Sequence, residues 1–284
     1  MQPIIKLENV SFAYARSTKW ALNHISLEIA QGDFVAVMGE NGAGKTSFCR
    51  LINGLIPHSL TGKLLGTVTV DGMQTASSPV AQLARKVGMA FEDPHTQLFT
   101  ARVSDEVAFA LENLRLPPDA IREKVQWALN AAGLSAYADY APSALSGGQK
   151  QRLVIAAALA MAGTVLVLDD PTSQLDPAGA REVLSLIRNL RRQQGLTVVM
   201  ATGSGDEAAE CADAIIVLQN GTLAAFDSPQ RIFANETLLA ECAIQCPQVC
   251  ELAFHMASLG EMLPQFPINL DEAKKSLFDW YYGQ

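Results

Sequence analysis

The sequence predicts an α/β fold with a parallel β-sheet, and two observations support that prediction. A glycine-rich loop, residues 39–46, lies between the apolar run 34–38 and a stretch with helical spacing, 46–55. Residues 165–200 then alternate strand, helix and strand patterns. Strands that alternate with helices along a chain are typical of parallel sheets covered by helices.

The first half of the chain changes from strand-like to helix-like periodicity. Short apolar runs alternate with polar turns over residues 4–30, which predicts antiparallel strands. Residues 64–73 add another strand that ends at a turn. From about residue 79 to residue 160 the periodicity is helical, with breaks at prolines and a glycine.

The last quarter of the chain predicts a hairpin followed by a small helical tail. Apolar runs at 214–218 and 222–225 flank an Asn-Gly dipeptide, which favours a two-residue hairpin turn. Short helical pieces interrupted by prolines follow. We therefore expect one large domain, 1–228, and a C-terminal helical extension, 229–284.

Composition is that of a globular protein and argues against two classes of function. Net charge is −8 and no basic block exceeds two residues, so the chain offers no electrostatic footprint for nucleic acid. The longest uncharged apolar stretch, 153–168, has 16 residues, whereas a membrane span needs about 20. We expect a buried helix and a buried strand there. No secretory signal is visible at the N-terminus.

Five cysteines without a secretory signal indicate reduced thiols. Cys242, Cys246 and Cys250 recur every four residues, with His255 nearby, which raises the possibility of a soft-metal site. Pro247 interrupts that register and no C-x-x-C pair exists. Small buried thiols are the preferred interpretation.

The glycine-rich loop fits the phosphate-binding pattern GxxxxGK[ST] in its required setting of strand, turn and helix. Its backbone N–H groups would converge on phosphate oxygens, and the following helix N-terminus adds partial positive charge. Lys45 would reach the β- and γ-phosphates, and Thr46 would offer its hydroxyl to Mg²⁺. An ordinary glycine-rich turn is the alternative. The predicted binding residues are Gly39, Asn41, Gly42, Ala43, Gly44, Lys45, Thr46 and Ser47.

A second motif, residues 145–149, starts a predicted helix about a hundred residues later. Ser146 is a favoured N-cap, and two glycines at the helix start, Gly147 and Gly148, indicate a second anion-binding site. Gln149 is followed, 20 residues on, by an apolar run that ends in Asp169. Ser-Gly-Gly alone is a weak signal, but this order of motifs is not.

These motifs resemble those of ABC-type ATPases. Residues 39–46 are similar to the Walker A loop, 145–149 to the signature, the run ending at Asp169 to Walker B, and 173–176 to the D-loop. The match covers about residues 4–225. It implies a nucleotide-binding domain with a RecA-like parallel sheet core, an antiparallel β-subdomain and a helical subdomain, about 92–160, which binds ATP and Mg²⁺.

A narrower resemblance involves residues 91–113 and the tail segments 247–253 and 267–273. They are similar to the ATPase subunits of energy-coupling-factor transporters, which import vitamins and transition-metal ions. In that family two ATPase subunits dimerise and drive a transmembrane coupling subunit, which carries a separate substrate-binding membrane subunit. The resemblance implies a peripheral protein on the cytoplasmic face of the cell membrane.

The resemblance also assigns roles to single residues. Tyr14 matches the aromatic that stacks on adenine, although it also reads as an ordinary strand aromatic. Asp169 matches the carboxylate on the Mg²⁺ side. Asp176 matches the D-loop carboxylate and is also a good N-cap. The signature of one subunit completes the ATP site of the other.

The chain departs from the family at three hydrolytic positions. Hydrolysis needs an oriented water, a carboxylate and donors for the developing charge. Where the family has Gln, Glu and His, this chain has Glu92, Asp170 and Gly203. Losing one positioned donor costs on the order of 10² to 10³ in rate. Glu92 stands near the Mg²⁺ in the resemblance, and a solvated loop carboxylate is its alternative.

The sequence therefore predicts the weakened half of a heterodimeric ATPase, whose signature serves the partner's site. Three alternatives stay open. In the first, the chain forms a homodimer in which Asp170 suffices as the catalytic base. In the second, it is a soluble ABC protein that acts on nucleic acid or ribosomes. In the third, bound ATP only holds a complex together and is not hydrolysed.

Overall fold

The computed structural model of the protein describes residues 3–161 and 163–283. These residues form ten strands in two sheets, with α-helices packed around them. The strands are β1 (Ile5–Tyr14), β2 (Leu22–Ile29), β3 (Phe34–Met38), β4 (Gly62–Val70), β5 (Met73–Gln74), β6 (Val87–Ala90), β7 (Val165–Asp169), β8 (Thr197–Ala201), β9 (Ala214–Gln219) and β10 (Thr222–Asp227). The helices are α1 (Lys45–Ile52), α2 (Leu55–His58), α3 (Val80–Leu83), α4 (Val103–Asn113), α5 (Pro118–Ala131), α6 (Gly147–Met161), α7 (Pro177–Gln194), α8 (Gly205–Cys211), α9 (Pro229–Phe233), α10 (Glu236–Glu241), α11 (Gln248–Ser258) and α12 (Leu270–Tyr282).

The larger sheet has the order β10-β9-β3-β8-β7-β6. Strands β3 and β6 to β9 run parallel, and β10 joins the edge as the antiparallel half of a hairpin. Alternate side chains of a strand point to opposite faces. Val165 and Val167 of β7 accordingly pack on one face, and Leu166 and Leu168 on the other. The predicted α/β fold with a parallel sheet is confirmed.

Three layers result from this alternation. The face with Val165 and Val167 buries α1 and the smaller antiparallel sheet, whose order is β2-β1-β4-β5. The face with Leu166 and Leu168 is covered by α4, α5, α6 and α7. The phosphate loop therefore leaves the sheet at the end of β3, between the two sheets.

The structure corrects the helical prediction for residues 79–160. Val87–Ala90 forms strand β6, which pairs in parallel with β7. The four-residue run Val-Gly-Met-Ala is too short to show a helical or strand periodicity of apolar residues, and only one of its residues is β-branched. Pairing with a buried neighbour decides its conformation. The first two apolar runs also form one strand, β1, with an irregularity in register beside Asn9 (φ 50°).

The tail shares a hydrophobic core with the parallel sheet. Phe233 and Leu239 pack in one cluster with Met38 of β3 and Val217 of β9. The loop before α11 also touches the start of α8. A Cβ on Gly205 would lie 2.3 Å from the backbone oxygen of Gln245, so only glycine permits this approach. The tail is therefore packed next to the turn that follows β8.

The tail cysteines lie in and beside this core. Cys242 and Cys250 are buried, and the Cys250 thiol donates to the Pro267 carbonyl at 3.3 Å. Burial raises the pKa of Cys250 to about 12. Within residues 3–161 and 163–283, no three His, Cys, Asp or Glu side chains are grouped to hold a metal ion. No helix in the same ranges is long and apolar enough to cross a membrane.

Candidate nucleotide-binding and catalytic site

The phosphate loop is tightly packed against the antiparallel sheet. Gly44 has a φ of 109°, and a Cβ there would lie 2.6 Å from the Ala21 oxygen and 2.9 Å from Leu22 Cδ2. Only glycine meets both conditions. Helix α1 begins at Lys45, whose Nζ donates to the Gly39 carbonyl at 2.8 Å. The loop thus places backbone N–H groups, a helix N-terminus and an ammonium group together.

A cavity of about 320 Å³ opens over this loop. It gathers most of the predicted site residues from four separate segments of the chain. Its lining consists of Tyr14, Ala21, Asn41, Gly42, Gly44, Lys45, Thr46, Ser47, Glu92, Asp169 and Asp170. A larger cavity of about 780 Å³ lies between α4 and α5 and contains none of the predicted site residues.

One wall of the cavity offers oxygen ligands of the kind that Mg²⁺ prefers. The Thr46 hydroxyl donates to Asp169 Oδ1 at 3.0 Å. Asp169 ends β7 and is only 4% exposed. Burial raises the pKa of Asp169, while the Thr46 hydrogen bond opposes that change. The charge of Glu92, which lines the same cavity, raises this pKa further. A cation placed there would offset the crowded carboxylates, so the residues fit a divalent metal.

Asp170 follows directly and differs in its environment. Its backbone is left-handed, with a φ of 51°, and its N–H donates to the Ala201 carbonyl of β8 at 3.0 Å. Burial first, and then the charges of Glu207 and Glu92, raise the pKa of Asp170 from 3.8 to about 6. This carboxylate is therefore close to half protonated near pH 6.

Gly203 lies just beyond the end of β8 and is exposed. A Cβ added there would meet no atom of residues 3–161 or 163–283 within 4 Å, and Gly203 does not line the cavity. The turn around it is held by other groups. The Thr202 hydroxyl donates to Glu207 Oε2 at 2.8 Å and accepts from the Ser204 N–H at 3.0 Å. The position has room for a side chain and no donor of its own.

The second motif forms a capped helix start outside the cavity. The Ser146 N–H donates to Gln149 Oε1 at 2.9 Å, and the Gln149 N–H donates to Ser146 Oγ at 3.3 Å. This reciprocal pair is a capping box. A Cβ on Gly147 would lie 3.9 Å from Leu175 Cδ2, and residues 146–149 do not line the cavity. Ser146 and Gly147 are exposed.

Comparisons with known proteins agree with this geometry. The family model described as "ABC transporter" matches residues 22–173. An ABC transporter ATP-binding protein of Pyrococcus horikoshii is 40% identical over 279 residues, which are 98% of either chain. The energy-coupling factor transporter ATP-binding protein EcfA1 of Clostridium perfringens is 37% identical over 279 residues, 96% of this chain and 97% of that protein.

Solved structures show the same likeness. CbiO1 of Clostridium perfringens, described as part of the ABC transporter complex CbiONQ, has a TM-score of 0.75 at 31% identity. The match covers 89% of this chain and 99% of CbiO1. The ATP-binding cassette MJ0796, solved as a dimer with ADP and phosphate, has a TM-score of 0.68 at 27% identity, over 79% and 98% of the two chains.

The chain belongs to the ABC transporter family. Within that family it belongs with the ATP-binding subunits of energy-coupling-factor transporters, as residues 91–113 and the tail segments predicted. It is an ATPase of an importer of this class, and members of the family bind ATP and couple its hydrolysis to transport.

Sequence reasoning missed three features of this ABC ATPase. Ala21 lines the cavity because the phosphate loop packs on the start of β2, and no motif marks that contact. Glu207 affects Asp170 through charge, from four residues beyond Gly203. The Tyr14 hydroxyl is 2.9 Å from Ser47 Oγ, a pairing of residues 33 positions apart.

Proposed function

We propose that this chain is the catalytically weakened half of a heterodimeric ATPase in an energy-coupling-factor importer. Its own cavity holds ATP, with Mg²⁺ at Thr46, Asp169 and Glu92, and turns it over slowly. Its signature completes the site whose phosphate loop belongs to a non-identical partner. The tail, 229–284, is the small extension of domain 1–228.

The membrane partners follow from the relatives. Relatives named as energy-coupling factor transporter ATP-binding proteins, and CbiO1 as part of a transporter complex, support membrane partners for this chain. We propose a transmembrane coupling subunit that carries a separate substrate-binding membrane subunit. The cargo is a vitamin or a transition-metal ion, and the ATPase lies on the cytoplasmic face of the membrane.

The observation that supports the weakened half most directly is Gly203. A glycine in open space cannot donate a hydrogen bond from a side chain to charge that develops on the γ-phosphate. Asp170 adds to the loss, because its carboxyl is one methylene shorter than glutamate and lies beside the charges of Glu207 and Glu92. A misplacement near 1 Å costs on the order of 10² in rate.

The intact signature supports the other half of the proposal. Ser146 and Gln149 satisfy each other's backbone N–H groups, which leaves the N–H groups of Gly147 and Gly148, between them in the first turn of α6, to face an anion. An exposed, capped helix start is what a phosphate held by another subunit requires.

Two substitutions in the assembled complex separate the roles. Ser146→Arg blocks the partner's composite site, so we expect ATP turnover of the complex to fall at least tenfold. Asp170→Asn removes only a weak site, so the loss is less than twofold. Ser135→Arg is the matched control, since Ser135 is exposed and outside both motifs. A large loss with Asp170→Asn and a small one with Ser146→Arg would contradict the proposal.

A homodimeric ATPase with Asp170 as base is the second candidate, and one observation favours it. Burial raises the pKa of Asp170 to about 6, close to the value of an efficient general base near neutral pH. In that case the purified chain alone hydrolyses ATP at about 1 s⁻¹ or faster, and Asp170→Asn abolishes the activity. Our proposal expects turnover of the isolated chain to be at least tenfold slower.

A further inference from the structure

The nucleotide cavity contains one side-chain pair whose bond no motif assigns. The Tyr14 hydroxyl and Ser47 Oγ lie 2.9 Å apart and connect the end of β1 with the first turn of α1. Both residues line the cavity. We infer that Ser47 is a positioning residue, which holds the Tyr14 ring at the cavity mouth so that base contact and phosphate contact are coupled.

Because Ser47 is buried, the Tyr14 hydroxyl is the natural hydrogen-bond partner of its hydroxyl. The residue is 6% exposed, so water competes poorly for its hydroxyl. A buried hydroxyl without a partner is costly, which favours a persistent bond. Tyr14 is half-buried, and its hydroxyl is the side-chain group that meets Ser47.

A second contact fixes the ring from below. Phe12 is fully buried, and its ring lies 4.8 Å from that of Tyr14 at 77°, an edge-to-face arrangement. The ring is thus supported along its body by Phe12 and at its tip by Ser47. An aromatic held in this way presents a constant surface on which a base can stack.

The phosphate loop and the antiparallel sheet are also joined by backbone contacts. Gly221 N–H donates to the Ala43 carbonyl at 3.0 Å, and Asn23 N–H donates to the Gly221 carbonyl at 2.7 Å. Gly44 lies against Ala21, as described above. The phosphate loop and the antiparallel sheet thus stay in contact without the bond between Ser47 and Tyr14. Loss of that bond therefore changes the position of the Tyr14 ring more than it changes the fold.

The consequence is a coupling between the two ends of the nucleotide. Ser47 lies two residues after Lys45 in the phosphate loop, while Tyr14 is the residue that the family resemblance places against the base. A ligand with both base and phosphates benefits from a ring held in place. A ligand with phosphates alone does not. The inference rests on ATP binding in this cavity and is independent of how fast the site hydrolyses.

A double-mutant cycle on the full chain tests the coupling, with ATP and inorganic tripolyphosphate as probes in calorimetric titrations. Tyr14→Phe keeps the ring and removes the hydroxyl. We expect ATP affinity to fall about three- to tenfold, the usual effect of one hydrogen bond, and tripolyphosphate affinity to stay within twofold. Ser47→Ala lowers ATP affinity more than tripolyphosphate affinity. The double variant binds ATP within twofold of the weaker single variant.

Ser11→Ala is the matched control. Ser11 lies on the same strand, is buried, and accepts a hydrogen bond from the His24 N–H at 2.9 Å, but does not line the cavity. We expect its ATP affinity to equal that of the wild type. Single losses that multiply in the double variant would overturn the inference, and so would equal losses of ATP and tripolyphosphate in Ser47→Ala. The proposed function is tested separately, by ATP turnover of the assembled complex. Additive losses in the double-mutant cycle would therefore overturn the inference but not the proposed function.

Discussion

The residues predicted to bind the nucleotide and those predicted to hydrolyse it, here called the binding side and the hydrolytic side, differ in how firmly the fold holds them. On the binding side, Thr46 donates to the buried Asp169, and the Lys45 ammonium lies on the carbonyls of its own loop. On the hydrolytic side, Asp170 has a raised pKa and Gly203 stands in open space. Because the predicted binding and hydrolytic roles fall on separate groups, our proposal expects nucleotide binding to persist where hydrolysis is weak.

If the site is weakened as we propose, packing explains why the changes lie on the hydrolytic side. Asp169 ends a buried strand and shares a hydrogen bond with α1, so its replacement leaves the half-buried Thr46 hydroxyl without this partner. Within the described residues, no atom lies within 4 Å of a Cβ placed on Gly203, so this part of the fold places no demand on a side chain there. The fold therefore constrains Asp169 more strongly than residue 203.

The largest predicted effect comes from restoring the hydrolytic side. Gly203→His together with Asp170→Glu supplies a donor and a longer carboxylate, and the open space at residue 203 accepts the imidazole. We expect ATP turnover at this site to rise on the order of 10²-fold. The measurement is turnover in the assembled complex whose other ATPase lacks its catalytic glutamate.

Gly203→Ala is the control, because it adds a Cβ without a donor, and we expect no gain. The double variant should also lose about 1 kcal/mol in its free energy of unfolding, because glutamate adopts the left-handed backbone of residue 170 less readily than aspartate does. If the pair and the control have the same turnover, residues 170 and 203 do not limit the site.

A smaller effect tests the binding side. Lys45→Ala removes the ammonium that would meet the phosphates, and a charge-assisted bond contributes about 1.5 to 3 kcal/mol. We expect ATP affinity of the purified chain to fall about 10- to 100-fold in calorimetric titrations. Lys274→Ala, at an exposed lysine of α12, is the control. Unchanged affinity in Lys45→Ala would place the nucleotide elsewhere.

The parts of the molecule that depend on local pattern could be predicted from the sequence. The phosphate loop has its glycines and lysine in one segment, and β7 and β8 are apolar runs rich in β-branched residues on either side of a helical stretch, so each was recognisable. Strand β6 was missed because its four residues become a strand only by pairing with β7. The Tyr14 bond to Ser47 and the influence of Glu207 on Asp170 link residues whose proximity depends on tertiary structure.

The smallest effect concerns stability and its dependence on pH. Because burial and nearby charges raise the pKa of Asp170 from 3.8 to about 6, the folded protein binds a proton that the unfolded chain has already lost between these values. The contribution of this group to the free energy of unfolding therefore falls as pH rises from 4 to 6. Above pH 6 the native protein holds a charge in an unfavourable place.

Asp170→Asn removes that charge and should stabilise the protein at pH 7 but not at pH 4. The shift of about 2 pKa units corresponds to at most ~3 kcal/mol, and partial exposure of Asp170 reduces it to about 1 kcal/mol. We expect Tm to rise by about 2 °C at pH 7 and to match the wild type at pH 4. Asp279→Asn, at an exposed carboxylate of α12, should change neither. An equal rise in Tm at both pH values would mean that the introduced amide stabilises by packing. The charge of the Asp170 carboxylate would then not destabilise the folded protein.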